Sequence, residues 1–99
     1  MNQGKIYQID GPVIDVEFTE GQIPPILNQL QIPRTSPSTG AQDDLICVVT
    51  QHLGIKLARS FTSGSTYGLK PGMIVYDTGI PVPILDPIPI PEPIPIIQK

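Results

Sequence analysis

The chain has 99 residues, with six Lys/Arg against nine Asp/Glu (formal net charge −3), 13 prolines, nine glycines and a single cysteine. That length makes one small domain with a modest core. The scattered basic residues exclude the basic stripe of a nucleic-acid-binding protein, no apolar run reaches the roughly 18 uninterrupted residues of a membrane span, and one cysteine gives neither an internal disulfide nor a cysteine-based metal cluster.

So much proline and glycine, without a helical period, points to an all-β fold. Lys5 to Ile9 is rich in strand formers and predicts a first strand. It begins almost at Met1, so no secretory signal or transit sequence is expected. Asp10-Gly11-Pro12 can turn the chain, because Gly11 is free to take a positive φ. Ile14, Val16 and Phe18 then alternate with Asp15 and Glu17, the period-two pattern of a half-buried strand. Pro24-Pro25 forces an extended connection, and Asn28 to Ile32 reads as a third strand.

Residues 33 to 44 are the most loop-like internal stretch. Leu45 to Leu53 opens apolar on both faces and turns polar at Thr50-Gln51-His52, which predicts a central strand emerging toward solvent. Gly54 breaks the run, and Ile55 to Phe61 supplies a hairpin partner. On that partner Leu57, Arg59 and Phe61 share one face, with Ala58 and Ser60 on the other. Thr62 to Thr66 is a loop. Lys70-Pro71-Gly72-Met73 carries Pro and Gly at the two central positions of a type II turn. A last strand is expected from Met73 to Tyr76, ending at Asp77-Thr78-Gly79. Six short strands at regular spacing predict a small closed or nearly closed barrel over residues 1–79. Ile14, Val16, Phe18, Val48 and Leu57 are its expected core.

Residues 80–99 differ in kind. Prolines at 81, 83, 87, 89, 91, 93 and 95 fix φ and remove donors, which excludes a helix or a central strand. From 87 to 95, one edge of an extended chain would lack donors while Ile88, Ile90, Glu92 and Ile94 keep theirs. This predicts an extended proline-rich tail: either a segment docked on a sheet edge or partner, or a stiff extension of ~3.1 Å per residue.

Three blocks carry a family resemblance. They are Gly4-Lys5-Ile6-Tyr7-Gln8-Ile9-Asp10-Gly11-Pro12-Val13-Ile14-Asp15-Val16-Glu17-Phe18; Gly21 to Leu30; and Gln51-His52-Leu53-Gly54 with Arg59, Gly68-Leu69, Gly72-Met73 and Asp77-Thr78-Gly79. In order and spacing they resemble the amino-terminal β-barrel of the ATP synthase beta (catalytic) subunit more than that of the paralogous alpha subunit. Cys47 is similar to plastid and cyanobacterial versions. The chain departs from the family at Tyr67 and Pro71, where an acidic and a basic residue are usual, at Ile55-Lys56, where Asn/Asp is common, and after Gly79.

The resemblance implies a non-catalytic barrel in a crown of alternating alpha and beta barrels, contributing inter-subunit contacts to proton-driven ATP synthesis. The implied partners are proteins, namely alpha-type subunits or other barrels, without nucleic acid or direct membrane insertion. The implied location is cytoplasmic or organelle-encoded (the plastid stroma among the options), peripheral to a membrane complex. The alternative is a stand-alone interaction module whose proline tail caps the barrel or binds a partner.

The residues nominate no catalytic, cofactor or metal site. A phosphate cradle needs a Gly-rich loop ending in Lys-Thr or Lys-Ser. Gly64-Ser65-Thr66 is too short and lacks the lysine, and Gly68 to Gly72 puts Pro71 where a donor is wanted. No enzyme activity or cofactor is therefore expected of this chain. His52 reads as a strand-end surface residue and Cys47 as a buried thiol. Asp43-Asp44 reads as a solvated pair rather than a cation site. Arg59 could pair across the barrel mouth, reach a neighbour, or lay its stem along the surface.

Overall fold

A computed structural model describes residues 2–36 and 38–82. Its strands are β1 (Gln3–Asp10), β2 (Val13–Glu17), β3 (Asn28–Ile32), β4 (Leu45–His52), β5 (Leu57–Phe61) and β6 (Ile74–Pro81). They close into a barrel in the order β1-β2-β5-β4-β3-β6, with every neighbouring pair antiparallel. The expected all-β barrel is thus present. Closure pairs strands that would otherwise expose their backbone groups along an edge.

Two turns follow directly from their residues. Gly11 takes φ +61° between β1 and β2. Gly72 takes φ +95°, and the Met73 N–H donates to Lys70 O at 3.3 Å, closing the Lys70–Met73 turn. Leu27 also sits at positive φ (78°), unusual for a side chain of its size. Its N–H donates to Val49 O and its carbonyl accepts the Val82 N–H, so the residue just before β3 is tied to the middle of β4 and to the residue that follows β6.

The core consists of Ile6, Ile14, Val16, Phe18, Leu30, Ile32, Leu45, Cys47, Val49, Ala58 and Val75. Ile14, Val16 and Phe18 are fully buried as expected. Val48 and Leu57 are not core residues, which corrects the sequence reading. β4 is apolar on both faces at its start, and pairing Leu30 with Cys47 turns Leu45, Cys47 and Val49 inward. On β5 the small pair Ala58 and Ser60 faces the narrow interior, leaving Leu57, Arg59 and Phe61 outside. The buried Ser60 hydroxyl is satisfied by donating to Ile14 O at 2.7 Å, so a polar residue can sit there without an orphaned donor.

β5 starts at Leu57 rather than Ile55, because the Leu53 N–H donates to Leu57 O and Gly54 to Lys56 make the turn. β6 does not stop at Tyr76. It continues through Asp77-Thr78-Gly79 to Pro81, with Gly79 at φ +75° and an irregular register between Asn28 and Leu30 of β3. Residues 80 and 81 of the expected tail thus complete a barrel strand. The docking alternatives for residues 83–99 lie outside the described residues.

Candidate interaction surface

The pairing of β2, β5 and β4 builds one distinctive wall. Val13 of β2 faces Phe61 of β5, which in turn faces Val48 of β4. These side chains point outward, since their neighbours Ile14, Ser60, Cys47 and Val49 fill the interior. Ile46 lies two residues before Val48 on the same face of β4. Phe61 is 47% exposed and Ile46 44%, with Val13 and Val48 half-buried between them. The strip is therefore apolar, contiguous by register and open to solvent.

The next row carries charge. Asp15 faces Arg59 across β2 and β5. The Arg59 guanidinium donates from Nε to Oδ1 at 2.9 Å and from Nη2 to Oδ2 at 3.1 Å, the bidentate geometry that suits this pair. Asp15 is only 4% exposed under this cover. Its hydrogen bonds and its charge raise the Arg59 pKa above the ordinary guanidinium value. Arg59 thus pairs on the outer wall with the adjacent strand. A polar pair beside an apolar strip is the usual composition of a protein-binding surface, an apolar centre with a polar rim.

A second arginine, not singled out from sequence, has a structural task. Arg34 bridges two loops: Nε donates to Asp43 O (2.9 Å), and Nη1 to Ser65 O (2.6 Å) and Tyr67 O (3.2 Å). Nη2 meets the Asp43 carboxylate at 3.4 Å. An arginine amid Pro, Ser and Thr carries no local sign of this role; two of its acceptors, the Ser65 and Tyr67 carbonyls, lie 31 and 33 residues away.

The remaining candidates are accounted for by internal contacts. Asp43 faces Arg34, and Asp44 accepts from Gln42 Nε2 (3.0 Å) and Gln31 Nε2 (2.6 Å), bonds that lower its pKa. Among the described residues no group of three or more His, Cys, Asp or Glu could hold a metal. His52 is exposed and its Nε2–H donates to Pro24 O at 2.7 Å. Cys47 is fully buried, and burial pushes its thiol up to about 11. A groove of about 480 Å³ at Gln3, Gly4, Lys5, Glu17, Thr19 and Glu20 sets one lysine against two glutamates, with no converging set of like groups. Among the described residues no helix is long and apolar enough to cross a membrane.

The stretch from the first strand to Asp77-Thr78-Gly79, which carries the sequence resemblance, supplies nearly all of the six barrel strands. The family model for the β-barrel domain of the ATP synthase alpha/beta family matches residues 6–79. With about three quarters of its length matched in this way, the chain belongs to the ATP synthase alpha/beta family.

Proposed function

We propose that the chain is an assembly barrel of the beta type, which holds its place beside alpha-type barrels in a rotary ATP synthase complex. The barrel is a non-catalytic domain of these subunits, and membership of the family implies protein–protein assembly in a complex. The single observation that carries the surface assignment is the exposed Val13–Phe61–Val48–Ile46 strip beside the Asp15–Arg59 pair. Burying such a strip against a neighbour removes apolar area from water at roughly 25 cal/mol per Å². The strip supports contact through side chains, with the barrel's own strands already paired. In this reading the chain sits on the aqueous side of a membrane complex and its contribution to ATP synthesis is architectural.

The test is to mix the purified chain with alpha-type subunits and follow co-elution. A stable complex is expected; strictly separate elution at concentrations up to roughly 100 μM, where even weak specific interfaces associate, would contradict the reading.

One observation favours a second reading, a stand-alone interaction module. Tyr67 stands where the family usually carries an acidic residue, and it is 67% exposed. An exposed aromatic is a frequent anchor of protein contacts. A Tyr67→Asp variant that lost a partner other than alpha-type subunits would support this reading over the first.

A further inference from the structure

The seam that closes the barrel is short and staggered. β1 and β6 share three register pairs, Gln3–Tyr76, Gly4–Val75 and Lys5–Ile74, and the Asp77 N–H donates to Asn2 O. Beyond Asp77, β6 continues with β3 on one side and, among the described residues, no strand on the other. Such an overhang is a template for strand addition by a second copy. Ile80, a β-branched residue at 59% exposure, heightens the hazard.

The backbone donors on the open side of this overhang are occupied or missing. In an extended strand successive N–H groups point to opposite sides. The Asp77 N–H points to β1, and the Val82 N–H points to β3, where it donates to Leu27 O at 2.8 Å. Positions 79 and 81 therefore face the open side. The Gly79 N–H is taken by the chain's own Asp77 Oδ1 at 3.0 Å. Pro81 has no N–H to offer. The Ile80 N–H is taken by Thr78 Oγ1 at 3.1 Å. Gly79 at φ +75° also bends the strand away from the flat geometry a partner strand would need.

We propose that the Asp77–Pro81 segment is a blocked edge, whose role is to stop barrels of this chain from joining into a continuous sheet. The partner it excludes is a second copy pairing strand to strand. Association is thereby confined to side-chain contacts elsewhere on the barrel. This proposal rests on β6 alone and stands whichever partner the β2–β5–β4 wall takes.

The test has two parts. In the intact chain, backbone amide exchange followed by NMR is expected to show Gly79 and Val82 protected relative to exposed loop amides such as Ser38. Free exchange at Gly79 would overturn the proposal. In the second part, Pro81→Val restores a donor on the open side, in a Phe61→Glu background that silences the apolar wall. Sedimentation across a concentration series is expected to show self-association stronger by about tenfold, the effect of two net backbone hydrogen bonds across a two-fold pair. A folded Pro81→Val variant that associates no more than its parent would refute the proposal. If the substitution perturbs folding, the Gly79 exchange result in the intact chain decides the question.

Discussion

Gly4→Ala probes the close approach of β1 to Phe18, and the predicted sign is opposite to the usual one. Gly4 is buried on β1, opposite Val75 of β6. A methyl group there would lie 2.5 Å from Glu17 O and 2.9 Å from the Phe18 ring. Phe18 is fully buried and the carbonyl belongs to the backbone, so neither can swing aside cheaply. The Gly4 φ is not in the left-handed region, so alanine suits its backbone and would otherwise stabilise by about 0.4–1 kcal/mol. Overpacking a filled core costs about 1–3 kcal/mol. The clash should therefore win by about 1–2 kcal/mol, which lowers the Tm by roughly 5–15 °C in a domain this small. Thermal unfolding by circular dichroism measures this directly. Gly54→Ala serves as control, because an added methyl meets nothing within 4 Å there; it should stay within about 0.5 kcal/mol of wild type or gain slightly. A Gly4→Ala protein as stable as wild type would refute the packing described for β1 against Phe18.

Arg34→Ala should cost about 1–3 kcal/mol in urea unfolding and speed amide exchange around Asp43 and Tyr67, since the carbonyls of Asp43, Ser65 and Tyr67 lose their shared donor. Arg34→Lys should not rescue it, because an ammonium cannot reproduce the guanidinium fork; full rescue would argue for charge alone. The Cys47 thiol, pushed up to about 11 from 9.0 by burial, makes the folded state hold its proton where the unfolded chain releases it. Its contribution is therefore full below pH 9 and falls as pH rises from about 9 to 11, by an amount on the order of 2–3 kcal/mol. A Cys47→Ala variant should be less stable at pH 7 yet lose less stability over that interval; identical pH profiles would contradict the burial argument. Thiol reagents should label Cys47 at pH 8 only at the rate of unfolding.

Much of the fold was legible because local chemistry and fold agree. The Ile14-Asp15-Val16-Glu17-Phe18 alternation, the Gly11 turn and the Pro71-Gly72 turn each dictate their own geometry. What could not be read was sidedness. In β4 both faces are apolar, so only its pairing with β3 decides that Val49 enters the core and Val48 does not. In β5 the period-two pattern groups Leu57, Arg59 and Phe61 against Ala58 and Ser60 but does not say which set faces inward; the narrow interior takes Ala58 and Ser60. The clue lay in Arg59, which shares the face of Leu57 and Phe61 and pairs with Asp15 on the outer wall. The end of β6 is not legible because Asp77-Thr78-Gly79 reads as a turn; here it forms an irregular stretch inside a strand.

The exposed strip of β2, β5 and β4 is the proposed assembly surface. Phe61→Glu tests it most directly: the residue lies outside the core, so the melting temperature should hardly move while the apolar contact is lost. Titrating alpha-type subunits with wild type and variant, with binding read by calorimetry, should show affinity reduced by at least about tenfold, the equivalent of 1.4 kcal/mol. A folded Phe61→Glu protein that binds them as tightly as wild type would contradict the claim.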